Sequence, residues 1–63
     1  MCESNVYIRK GDVEEKLLED VEILRPEGEG VFFIANIYGE QKRIKAKLIS
    51  IDFTEHKVLL SED

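Results

Sequence analysis

The run Gln41–Phe53, QKRIKAKLISIDF, limits the folds open to this 63-residue chain more than any other segment. Ile44, Ala46 and Leu48 fall on one face of an extended strand, and Arg43, Lys45 and Lys47 on the other. That period of two is the mark of a half-buried strand. Ile49 and Ile51 then take the opposite parity. A phase change inside one strand signals a bulge or bend, the device that curls a sheet towards a barrel.

The remaining segments fit that frame. Asn5–Lys10, NVYIRK, alternates Val6 and Ile8 against Tyr7 and Arg9, and Gly11-Asp12 closes it with a turn. Val31–Tyr38, VFFIANIY, is β-branched and aromatic, and Gly39-Glu40 turns the chain again. Thr54-Glu55-His56 is a turn before a last strand, Lys57–Ser61. The segment Val13–Arg25, VEEKLLEDVEILR, reads two ways. Val13, Leu17, Leu18, Val21 and Leu24 suit a helix. Two short strands with a kink at Glu19-Asp20 suit it equally, and Pro26-Glu27-Gly28-Glu29-Gly30 ends either. The expectation is an all-β fold, a small antiparallel curled sheet or barrel, with residues 1–63 forming one small domain. Val6, Ile8, Leu18, Val21, Ile23, Phe33, Ile44, Leu48, Ile51 and Leu59 are the expected core.

A domain of this size buries only about 60% of its unfolded surface. Disulfides, a metal or oligomerisation are the usual remedies. Cys2 is the one cysteine, so no internal disulfide forms, and a homodimer is expected. Formal net charge is −5. Since nucleic-acid affinity rests largely on neutralising phosphates, the balance argues against a general nucleic-acid binder. No basic region followed by an apolar run opens the chain, and no 18-residue apolar stretch exists. A free thiol without an export signal fits a reducing cytoplasm.

The start MCESNVY, the acidic stretch LLEDVEILRPEGEGV, the following FFIANIYGE and a closing strand before an acidic end resemble the CooT family over nearly the whole chain. These are small nickel-binding proteins, often labelled predicted RNA-binding proteins, and one member is linked to maturation of carbon monoxide dehydrogenase. The resemblance implies a small barrel-like β fold that dimerises and binds Ni(II) through the Cys after the initiator Met. It favours strands over Val13–Arg25, places the metal role on Cys2, and implies a nickel enzyme under maturation as a partner.

The chemistry of Cys2 bears on this independently. If Met1 is removed, Cys2 offers an amine and a thiolate that close a five-membered chelate ring. If Met1 stays, the terminal amine, the Cys2 amide and the thiolate are available. One chain then supplies two or three ligands, whereas Ni(II) with nitrogen and anionic sulfur favours four in a square plane. Two chains complete the set, which places the site at a dimer twofold. Zinc prefers several Cys or His ligands in a tetrahedron, and the chain has one of each. Zinc and copper both stay open. The alternative is that Cys2 is incidental on a chain end, or a small hydrophobe starting the first strand.

Other candidates have plainer readings. His56 sits in a turn, far in sequence from Cys2. Residues 12–29 hold eight acids and two bases, Lys16 and Arg25, without the spacing of a calcium loop, which reads as a solvated face. Arg43, Lys45 and Lys47 share one strand face, with Tyr38 and Phe53 flanking in sequence, so an RNA-binding strand is the second functional reading. Its plainer version is a lysine-protected edge strand. A third reading is an acidic protein-interaction module. No catalytic constellation or phosphate-binding glycine loop is visible, so no enzyme is expected.

Overall fold

The computed structural model describes residues 3–62. Five strands run in chain order: β1 (Ser4–Lys10), β2 (Val13–Pro26), β3 (Val31–Asn36), β4 (Gln41–Asp52) and β5 (Lys57–Glu62). They close into a barrel with each strand beside its successor and β5 back beside β1. The described residues contain no helix, so the strand reading of Val13–Arg25 is the correct one. The four successive pairs are antiparallel, as expected, but β1 and β5 run parallel. The strand count requires this, because four reversals leave the fifth strand pointing along the first.

Bulges bend the long strands. The register of β4 against β5 shifts between Leu48 and Ser50, where the sequence changes phase. In β2 the shift follows the kink expected at Glu19-Asp20. Ser4 pairs with Val21 and Val6 with Leu18, so two steps along β1 match three along β2. Asp20 sits in the left-handed region at φ 54°, a conformation that aspartate tolerates better than most residues. The Asn5 side-chain oxygen accepts from the Asp20 N–H at 3.2 Å, and the Asp20 carbonyl accepts from Ile37 N–H at 3.0 Å.

The barrel interior holds Val6, Ile8, Leu18, Val21, Ile34, Ala46, Val58 and Leu60, with Leu17, Leu24, Phe32 and Ile44 packed against them. Three expected core residues are exposed instead. Ile23 is exposed because Glu22 is an extra residue in β2, between the pairs Val21–Asn36 and Ile23–Ala35, so Ile23 loses the inward parity of Val21. Leu48 and Ile51 are exposed, Leu48 at 45%. Past Lys45, β4 has no β3 residue beside it and pairs with β5 alone, so one edge of that stretch is open. Phe33 and Leu59 are buried but alternate with the interior residues Ile34, Val58 and Leu60. They face outward and are covered there.

The one buried polar residue among the described residues is Asn36, 1% exposed. Its Oδ1 accepts from Tyr38 N–H at 3.1 Å and Glu40 N–H at 2.9 Å, and its Nδ2 donates to Glu40 Oε1 at 2.7 Å. The side chain thereby caps the β3–β4 turn, where Gly39 adopts φ 87°, a conformation that suits glycine.

Candidate functional site

Cys2, the thiol singled out from the sequence, lies outside the described residues. The structure does place the chain that follows it. Asn5 N–H donates to the carbonyl of His56 at 2.9 Å, and Asn5 lies opposite Lys57 in the parallel β1–β5 pair. The β4–β5 turn is therefore tied to the start of β1. His56 is exposed at the end of the turn, next to β5, with φ 55°, and Asp52 Oδ1 accepts from Glu55 N–H at 2.9 Å within the same turn. Sequence distance alone puts His56 far from Cys2. The parallel closing pair, which no local pattern signals, brings the single imidazole beside the strand that Cys2 leads into. Among the described residues no group of three or more His, Cys, Asp and Glu is arranged to hold a metal. A complete site built within one copy from these residues alone is therefore not present.

The acids of β2 are partly spent on neighbouring strands. Glu14 pairs with Lys57 at 3.1 Å and with Arg9 at 3.8 Å, and Glu15 with Lys10 at 3.5 Å. Cross-strand registry brings these charges together: Arg9 faces Glu14 and Ile8 faces Glu15. Lys57 Nζ also lies 4.9 Å from the centre of the Tyr7 ring. This matches the solvated face expected from the composition.

Arg43, Lys45 and Lys47 all project outward from β4 and are exposed, as alternation requires. Arg43, however, belongs to a closed cluster. Arg25, Phe33 and Arg43 stand in line across β2, β3 and β4. The two guanidinium carbons lie 4.7 and 5.1 Å from the Phe33 ring centre. Glu27 joins them, accepting from Arg43 Nε at 2.7 Å and from Arg25 at 3.4 Å. The hydrogen bond from Arg43 is the chief reason the Glu27 carboxyl is held below its ordinary range, with Arg25 adding to it. Phe33 is left 6% exposed, so it offers no open ring for a base to stack on. Tyr38 is drawn away from the strip, its hydroxyl donating to Asp20 Oδ2 at 3.1 Å. That bond and the nearby Asp20 charge raise the Tyr38 phenol above its ordinary value. Of the two aromatics that flank this face in sequence, Tyr38 is thus tied to Asp20, and Phe53, past the end of β4, is 80% exposed.

A family model described as CO dehydrogenase accessory protein CooT matches residues 1–61. A crystal structure from Carboxydothermus hydrogenoformans, described as a CooT protein, superposes with a TM-score of 0.89 at 39% sequence identity, covering 98% of this chain and 98% of that one. No match was found among functionally curated proteins.

Proposed function

The chain belongs to the CooT family of CO dehydrogenase accessory proteins, and on that premise we propose that it binds Ni(II) as cargo in the cytoplasm and serves the maturation of a nickel enzyme such as carbon monoxide dehydrogenase. It performs no catalysis of its own. Cys2 is the proposed metal residue, and the working unit is a homodimer in which two Cys2 thiolates supply the anionic donors and backbone nitrogen at each chain start supplies the rest. The observation that carries this reading is the family match, which includes Cys2 and runs over nearly the whole chain.

Donor chemistry supports it. The chain holds one Cys and one His, and its described residues form no multi-ligand cluster. On this reading two copies together complete a soft, four-donor site. The five-strand barrel supplies a rigid base, because the start of β1 is clamped on one side by Val21 of β2 and on the other by the β4–β5 turn. Native mass spectrometry of the full chain, with and without nickel, tests the proposal. The expected product is a dimer carrying one nickel. Nickel taken up by single chains, or no uptake at all, refutes the shared site.

A further inference from the structure

We propose that an apolar recess at the chain-start end of the barrel receives Phe53 of a second copy, so that two copies exchange Phe53 side chains about a twofold axis. This rests on the dimer of the proposed function and specifies the surface that builds it.

The recess has a volume of about 240 Å³ and is lined by Val6, Val21, Leu24, Ile51, Phe53 and Val58, with Ser4 and Glu22 at its polar side. It arises where two bent strands part. Beyond Val21, β2 no longer pairs with β1, and beyond Lys45, β4 no longer pairs with β3. The gap between β2 and the last part of β4 is left without a strand across it. Phe53 stands at the gap 80% exposed, just past the end of β4, and Ile51, which also lines the recess, is exposed. In a chain that is 37% charged, this is a concentrated apolar surface of the kind that marks an interaction site.

Two features select a second copy as the occupant. The first is self-complementarity. The patch carries both a projecting aromatic side chain and an apolar hollow beside it. A small ligand in the hollow covers only the side of Phe53 that lines it, whereas a twofold-related copy fills the hollow and also covers the outward side of Phe53, which is 80% exposed in one copy. That is the reciprocal geometry of an isologous interface. A phenylalanine buries about 150–250 Å², so two of them form the anchor of an interface of about 1,200–2,000 Å², with Ile51 beside each. The second is position. Ser4 forms part of the recess wall, and two residues of extended chain reach no further than about 7 Å. A twofold at the recess therefore brings the starts of both β1 strands to one place, which a metal site shared between the residues before them requires.

Sedimentation of the full metal-free chain decides the matter, with circular dichroism as the control for folding. The parent chain is expected to be a dimer. Phe53→Glu and Ile51→Glu should each raise the dimer dissociation constant at least about thirtyfold, the scale of an anchor residue, and leave the dichroism spectrum unchanged, since both side chains are exposed in a single copy. If either variant unfolds, Phe53→Ala is judged by the same criterion. Cys2→Ser should leave the metal-free dimer intact. A parent chain that stays monomeric at high micromolar concentration, or a dimer indifferent to the Phe53 and Ile51 variants, overturns the proposal. The two readings fail separately. A Phe53-dependent dimer that takes up no nickel sinks the metal reading and upholds the interface. A nickel-binding dimer that ignores Phe53 upholds the metal reading and sinks the interface.

Discussion

Asn5 and His56 are joined through the backbone, the N–H of Asn5 donating to the His56 carbonyl at 2.9 Å. This bond sets the only imidazole of the chain next to the strand that follows its only thiol. It makes the comparison of Cys2 and His56 the sharpest test of the metal reading. Cys2→Ser keeps the chelate ring size but replaces a soft thiolate with a weakly acidic hydroxyl, and should nearly abolish nickel binding and its thiolate-to-metal absorption band. His56→Ala should leave binding close to the parent. The reverse pattern moves the site to the turn. Because thiolate and amine must lose protons to bind, parent affinity should fall as pH drops below neutral, which a nickel titration across pH measures.

Leu60 and Leu48 should separate in thermal or urea unfolding. Leu60 is fully buried within the barrel and Leu48 is 45% exposed on the open edge of β4. Leu60→Ala should cost roughly 2–5 kcal/mol, enough to unfold much of a domain this small. Leu48→Ala should cost under about 1 kcal/mol in the monomer. Equal losses at the two positions contradict the observed packing.

The Glu27–Arg43–Phe33–Arg25 cluster predicts a pH-linked contribution. Glu27 is held below its ordinary value of 4.5, first by the hydrogen bond from Arg43. A carboxyl depressed in the folded state adds stability above the unfolded-state value and loses it as pH falls through the folded one. Glu27→Gln should therefore lower stability at neutral and alkaline pH, where the carboxylate contributes, change little in acid below the folded-state value, and so flatten the acid side of the profile. Arg43→Ala uncovers one side of Phe33 and should cost about 0.5–1 kcal/mol. Arg43→Lys should recover only part of that, since an ammonium lacks the flat guanidinium that lies over the ring. Denaturant melts at several pH values read out all three variants.

Asn36 should behave as a core residue despite being polar. Its side chain makes three hydrogen bonds while 1% exposed. Asn36→Ala removes all three and leaves two turn N–H groups short of a partner, a loss of about 1–3 kcal/mol. Hydrogen exchange should show the loss first at the amides of Tyr38 and Glu40. Unchanged protection there counts against the capping role.

Alternation and turn residues were enough to read β1, β3, β4 and β5 from the chain, because period-two burial and glycine turns are local properties. The bulge near Ile49 was legible for the same reason: a phase change leaves its trace in consecutive residues. The kink at Glu19-Asp20 was visible as the strand alternative, but choosing strand over helix was not a local matter. Leu17, Leu18, Val21 and Leu24 suit a helix, two short strands broken at Glu19-Asp20 suit the same segment, and only pairing with β1 and β3 selects one. Tertiary structure also decided which apolar residues are inside. Ile23 turns outward because Glu22 is inserted, and Leu48 and Ile51 are exposed because β4 outruns β3. Phe33 is buried by two arginines on other strands rather than by the core. The sequence alone identified Cys2 as the thiol to test, since its chemistry depends on residue type and position in the chain. That the start of β1 lies beside His56 and an apolar recess follows from the parallel β1–β5 closure, a contact between segments about fifty residues apart that no local pattern encodes.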